Sequence, residues 1–168
     1  PLPEYKDTLL EKRRIGIGVL GLGSLLFMLG IKYGSEESQL LIESIFKTKC
    51  EEELLASAKL GKEKGSFPLF DRDKFFSTYY WKTLPISPEV KRQIEEIGEL
   101  RNSHRSANAP TGNMSISVGG VSGGIEPVFL KEYIRWVTVV DSERIELKNK
   151  GFDFPNPHLG EWYETTHL

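Results

Sequence analysis

RNSHRSANAPTGNMSISVGGVSGGIEPVF, residues Arg101–Phe129, packs Gly112, Gly119, Gly120, Gly123 and Gly124 among small hydroxyl and amide residues, and carries almost no charge past Arg105. Turn residues normally bring solvating charges, so a long, nearly uncharged Gly/Ser/Thr/Asn stretch reads as backbone held against something. If a helix opens around Thr111–Ser115, its first N–H groups have no intrahelical acceptor and make a site for an anion. On composition alone an ordinary Gly/Ser surface loop stays equally open.

Motifs on both sides of this stretch fall in a recognisable order. Arg101-Asn102-Ser103 leads to Ala109-Pro110-Thr111-Gly112-Asn113-Met114-Ser115, and then to Ser122-Gly123-Gly124-Ile125-Glu126-Pro127-Val128-Phe129. Earlier come Arg13-Arg14-Ile15-Gly16-Ile17-Gly18-Val19-Leu20-Gly21 and Gly65-Ser66-Phe67-Pro68-Leu69-Phe70. Together, over roughly residues 12–137, these resemble the large (catalytic) subunit of ribonucleotide reductases. That family has an Arg-Arg-Ile-Gly-x-Gly-Val segment, a Gly-x-x-Pro-x-Phe segment, a Pro-Thr-Gly-Thr-Ile-Ser-like loop and an Ile-Glu-Pro turn. Past about Val140 no motif matches, and residues 141–168 are left as an unassigned extension.

The resemblance implies an α/β fold: residues 1–168 as part of a ten-stranded α/β barrel, with a helix-rich N-terminal half followed by a loop and strands. It implies that Pro110, Thr111, Gly112, Asn113, Met114 and Ser115 bind the substrate's phosphates through backbone amides and hydroxyls at a helix start. Asn113 and Met114 depart from the usual Thr and Ile, which leaves backbone donation intact but makes a hydroxyl contact at 113 an amide contact. The implied activity is reduction of ribonucleoside di- or triphosphates to deoxyribonucleotides by thiyl-radical chemistry. The implied partners are that substrate, the remainder of the catalytic subunit and a thioredoxin-like reductant. The family's radical-bearing Asn-x-Cys-x-Glu segment lies upstream of everything matched, so neither Cys50 nor Glu126 takes a catalytic role and no catalytic residue is expected in this chain. The Pro-Thr-Gly style of loop leans towards the adenosylcobalamin-dependent group, although no residue here is assigned to that cofactor. Two rival readings remain: a non-enzymatic anion- or partner-binding module using the same loop, and an inactive split-gene fragment.

Composition sets the outer bounds. At 168 residues with a net charge of −2, the chain can bury one core and shows no broad basic face, so nucleic-acid binding has little support. The single cysteine, Cys50, excludes an internal disulfide and fits a cytosolic setting. A chain that opens on Pro-Leu-Pro and ends at His167-Leu168 reads as a piece of something larger. His104, His158 and His167 lack metal-ligand spacing, so no metal site is expected.

Local patterns predict the elements. Ile15 to Ile31 is an apolar run of 17 residues, too short and glycine-rich for a membrane span and expected as a buried core helix. Its Gly16-x-Gly18-x-x-Gly21 follows Glu11-Lys12-Arg13-Arg14 rather than a hydrophobic strand, so a dinucleotide site is rejected. Ser35 with Glu36 and Glu37 caps the next helix, whose apolar face repeats at Ile42, Phe46, Cys50 and Leu54. Cys50 there reads as a small core residue. Phe67 to Trp81 is dense in aromatics and is expected to anchor a connecting segment onto the core. Tyr79-Tyr80 lies far from the family's radical-transfer tyrosines and inherits no such role. Ser87-Pro88-Glu89 starts a short helix buried through Val90, Ile94, Ile97 and Leu100, and His104 to Ala109 runs extended into the loop. Ile125–Val128 and Tyr133–Val140 are the strand candidates, 141–150 reads as a charged helix, and Phe152–Pro157 as a connection.

Overall fold

The computed structural model describes residues 2–128 and, as backbone, 134–138 and 161–164. Helix α1 (Pro3–Lys12) has proline in its first turn and ends at Arg13, whose φ of 45° and ψ of 49° close it in the left-handed region. Residues 14–21 follow without helix, then α2 (Leu22–Met28), α3 (Glu36–Lys64), α4 (Arg72–Ser77), α5 (Tyr79–Thr83), α6 (Pro88–Ile97) and α7 (Gly112–Ser117). Strands β1 (Ile134–Thr138) and β2 (Glu161–Glu164) pair antiparallel, with Ile134 opposite Glu164 and Arg135 opposite Tyr163.

Helix α3 is the long axis. Ser35 caps it by accepting from Ser38 N at 3.2 Å, as the Ser-Glu-Glu start predicts. Its C-terminal half buries Leu54, Leu55 and Ala58 against Trp81, Ile86, Ile94 and Leu100. Cys50, Phe67, Phe70, Phe75 and Phe76 pack around that cluster. The aromatic-rich segment is therefore an anchor, and it folds into two short helices capped by Asp71 and Thr78. Phe75 and Phe76 meet Trp81 at centroid separations of 5.6 and 5.0 Å, within the range where rings attract beyond simple burial. Glu95 accepts from Trp81 Nε1 at 2.7 Å, which satisfies the indole's donor.

The expected helix over Ile15–Ile31 does not form as a whole; only Leu22–Met28 is helical. Ile15 and Ile17 instead lie alongside residues 104–107 in parallel register, with Ile15 N to His104 O at 3.0 Å, Ile17 N to Arg105 O at 2.8 Å and Ala107 N to Ile17 O at 3.2 Å. Each glycine in a helix costs about 1 kcal/mol relative to alanine, and here they serve close approach. A Cβ on Gly16 would lie 2.8 Å from Ala107 Cβ, and one on Gly18 would lie 2.7 Å from Ala107 O. Nor is the run buried throughout: Leu22 and Leu26 are, but Ile15, Ile17, Phe27 and Met28 are exposed.

Ile125–Val128 is likewise not a strand. Its neighbourhood serves α2: Gly21 N donates to Ser122 O at 2.7 Å, and Ser122 N donates to Ser24 Oγ at 2.9 Å. Pro127 has no N–H to give a ladder. The second candidate fares better, because β1 covers Ile134–Thr138. Its partner β2 was not anticipated. The helix expected over 141–150 and the connection over Phe152–Pro157 lie outside the described residues, as do His158 and His167.

Candidate phosphate-binding site

The chain reaches the loop along a fixed track. Arg101 N donates to Ser57 O at 2.9 Å and Asn102 N to Ser57 Oγ at 3.0 Å, so the segment lies on α3. The Arg101 guanidinium donates to Lys64 O and Gly65 O at the end of α3, and Asn102 Nδ2 to Arg13 O at 2.9 Å. The Arg-Asn-Ser motif is thus a brace. Farther on, Lys49 Nζ lies 2.6 Å from Glu53 Oε1 and donates to Ser106 Oγ at 2.9 Å, while the Ser106 hydroxyl donates to Glu53. Both charged side chains are largely buried, and through Ser106 they tie the extended approach to α3.

Helix α7 opens at Gly112 with Thr111 before it. Thr111 N and Oγ1 both donate to Gly123 O, at 2.8 and 2.5 Å, and Ser115 Oγ donates to Gly112 O at 2.7 Å. Ser115 N closes the first helical bond onto Thr111 O at 2.9 Å. The hydroxyls of Thr111 and Ser115 therefore point their protons inward, and Ser115 is buried. What remains are the N–H groups of Gly112, Asn113 and Met114, which find no acceptor among the described residues. Gly112 faces open space: nothing lies within 4 Å of where its Cβ would stand. Asn113 and Met114 are exposed as well. With only six residues, α7 adds a weak dipole, so the unpaired N–H groups are what the site offers.

Beside the loop is a cleft of about 330 Å³, lined by Val19, Tyr33, Asn108, Ala109, Pro110, Gly124, Ile125 and Glu126. Of the six loop residues singled out from sequence, Pro110 lines this cleft, 112–114 present amides, and Thr111 and Ser115 act as internal staples. Tyr33, whose hydroxyl donates to Ile125 O at 2.5 Å, had no local signal in the sequence, since it lies 77 positions before Pro110. Gly123 and Gly124 did carry a signal, as part of the glycine run.

Other candidates resolve into structural roles. The Cys50 thiol is half-buried, and burial pushes its pKa upward, with Arg105 opposing in part. It is a poor nucleophile near neutral pH. His104 is exposed and sits 3.0 Å from Ser103 Oγ through Nδ1. Tyr79 and Tyr80 are exposed, Tyr80 at the edge of the aromatic cluster with its ring centroid 6.4 Å from that of Phe75. Among the described residues there is no group of three metal-ligating side chains, and no helix is long and apolar enough to cross a membrane.

Residues 1–159 match the family model described as ribonucleotide reductase, barrel domain. The chain belongs to that family. It is 33% identical over 135 residues to a vitamin B12-dependent ribonucleoside-diphosphate reductase of Mycobacterium tuberculosis, covering 80% of this chain and 17% of that protein. It is 31% identical over 164 residues to the Thermoplasma acidophilum protein of the same description, covering 98% of this chain and 19% of the relative. Among solved structures, the Actinobacillus ureae class Id ribonucleotide reductase alpha subunit superposes with a TM-score of 0.56 at 26% identity, covering 89% of this chain and 23% of that one. The chain thus spans about a fifth of the length of the curated relatives it matches.

Proposed function

We propose that this chain is the phosphate-cradling part of a ribonucleotide reductase catalytic subunit, within a ten-stranded α/β barrel whose other parts supply the radical cysteine and the reducing pair. In that role it works with the remainder of the subunit on ribonucleoside di- or triphosphates, in the cytosol, with a thioredoxin-like protein as reductant. The observation that carries the reading is the set of three unpaired amides at Gly112, Asn113 and Met114, opening onto free space beside a cleft. Two or three phosphates bring about three to four negative charges, and each charge-assisted hydrogen bond contributes roughly 1.5–3 kcal/mol. The array is fixed in advance: Thr111 ties the loop to Gly123, and Ser115 ties the first turn to Gly112. Substrate binding therefore needs little reorganisation of the backbone.

Exposed apolar residues on α1 and α2, and Met114, Ile116 and Val118 around α7, fit a segment that buries these faces against further protein. The relatives named as vitamin B12-dependent favour adenosylcobalamin as radical source, whereas the class Id relative does not carry that description. The described residues do not form a site for such a group: the cleft of about 330 Å³ is too small for a corrinoid, and no cluster of metal ligands is present among them.

In a complete subunit carrying this segment, Gly112→Val should place branched carbons before the amides. Loss of one or two such bonds raises KM for a ribonucleoside diphosphate about 10- to 100-fold with kcat nearly kept, because the phosphates stay put through the reaction. An unchanged KM removes the reading.

A further inference from the structure

We draw no further inference here: the strongest candidate, the exposed apolar surface of α2 at Leu25, Phe27 and Met28 with Leu29 at its end, is an unpartnered helix face, and nothing in the structure shows what covers it.

Discussion

Residues 50–100 are held by side chains, whereas residues 101–128 are held by main chain. In the first region Leu54, Ala58, Trp81, Ile94 and Leu100 interlock, and rings pack edge to face around them. In the second, few large side chains are buried, and the loop is fixed by Thr111 on Gly123, Gly21 on Ser122 and the reciprocal pair of Ser24 and Ser122. A close-packed core resists loss of volume. A main-chain scaffold leaves donors free to meet something else. On the proposed reading, the first region carries stability and the second carries recognition.

The largest expected effect breaks the first region. Trp81→Ala removes a buried indole and its bond to Glu95, and should destabilise the chain by about 3–5 kcal/mol in urea unfolding. A cost under about 1 kcal/mol would mean that the aromatic cluster is not the chain's core.

The second region should answer differently. Gly112→Ala adds a methyl where nothing lies within 4 Å, at a position inside α7 whose backbone suits alanine. Stability should hold or rise by about 0.4–1 kcal/mol, since alanine narrows the unfolded ensemble. Binding of cytidine diphosphate should nevertheless weaken, by about threefold to tenfold, because the methyl stands before the amides. A variant that loses stability and binding together would erase the division between the two regions.

That division also marks how far the sequence could be read. Capping at Ser35, the buried face of α6 and the aromatic anchor were all legible, because each rests on neighbours a few positions apart. The loop's place at a helix start was legible too, from Pro110-Thr111-Gly112. What escaped was long-range. The apolar run at Ile15–Ile31 looks helical on its own, and only its pairing with residues 104–107 shows why glycine recurs there. Tyr33 and Glu126 reach the cleft through contacts between distant parts of the chain, which no local spacing encodes. The inward turn of the Thr111 and Ser115 hydroxyls escaped for a different reason: both bonds lie within the loop, and the same residues would have suited a ligand contact.

Smaller effects sharpen the contrast within α3, which serves both regions. Ser35→Ala removes the acceptor for Ser38 N and should cost about 1 kcal/mol, read as a shift in unfolding midpoint with no change in nucleotide affinity. The cap is far along the helix from Ser57, where the loop's track is attached. A parallel loss of affinity would show that α3 transmits strain to the loop.

The smallest effect belongs to Cys50, midway along the same helix. Burial raises its thiol pKa above the ordinary 9.0, with the cation of Arg105 only partly opposing. The folded state therefore favours the neutral thiol. Its contribution is fully present below the unfolded-chain pKa and is lost as pH rises through the folded one, so stability should slip above about pH 9. Cys50→Ser tests this by flattening that slope, at the cost of placing a hydroxyl against apolar neighbours. Alkylation by iodoacetamide at pH 8 should also run several-fold slower in the folded chain than in urea. A folded-state rate equal to that in urea would mean an accessible, ordinary thiol, and would move Cys50 out of the packed region.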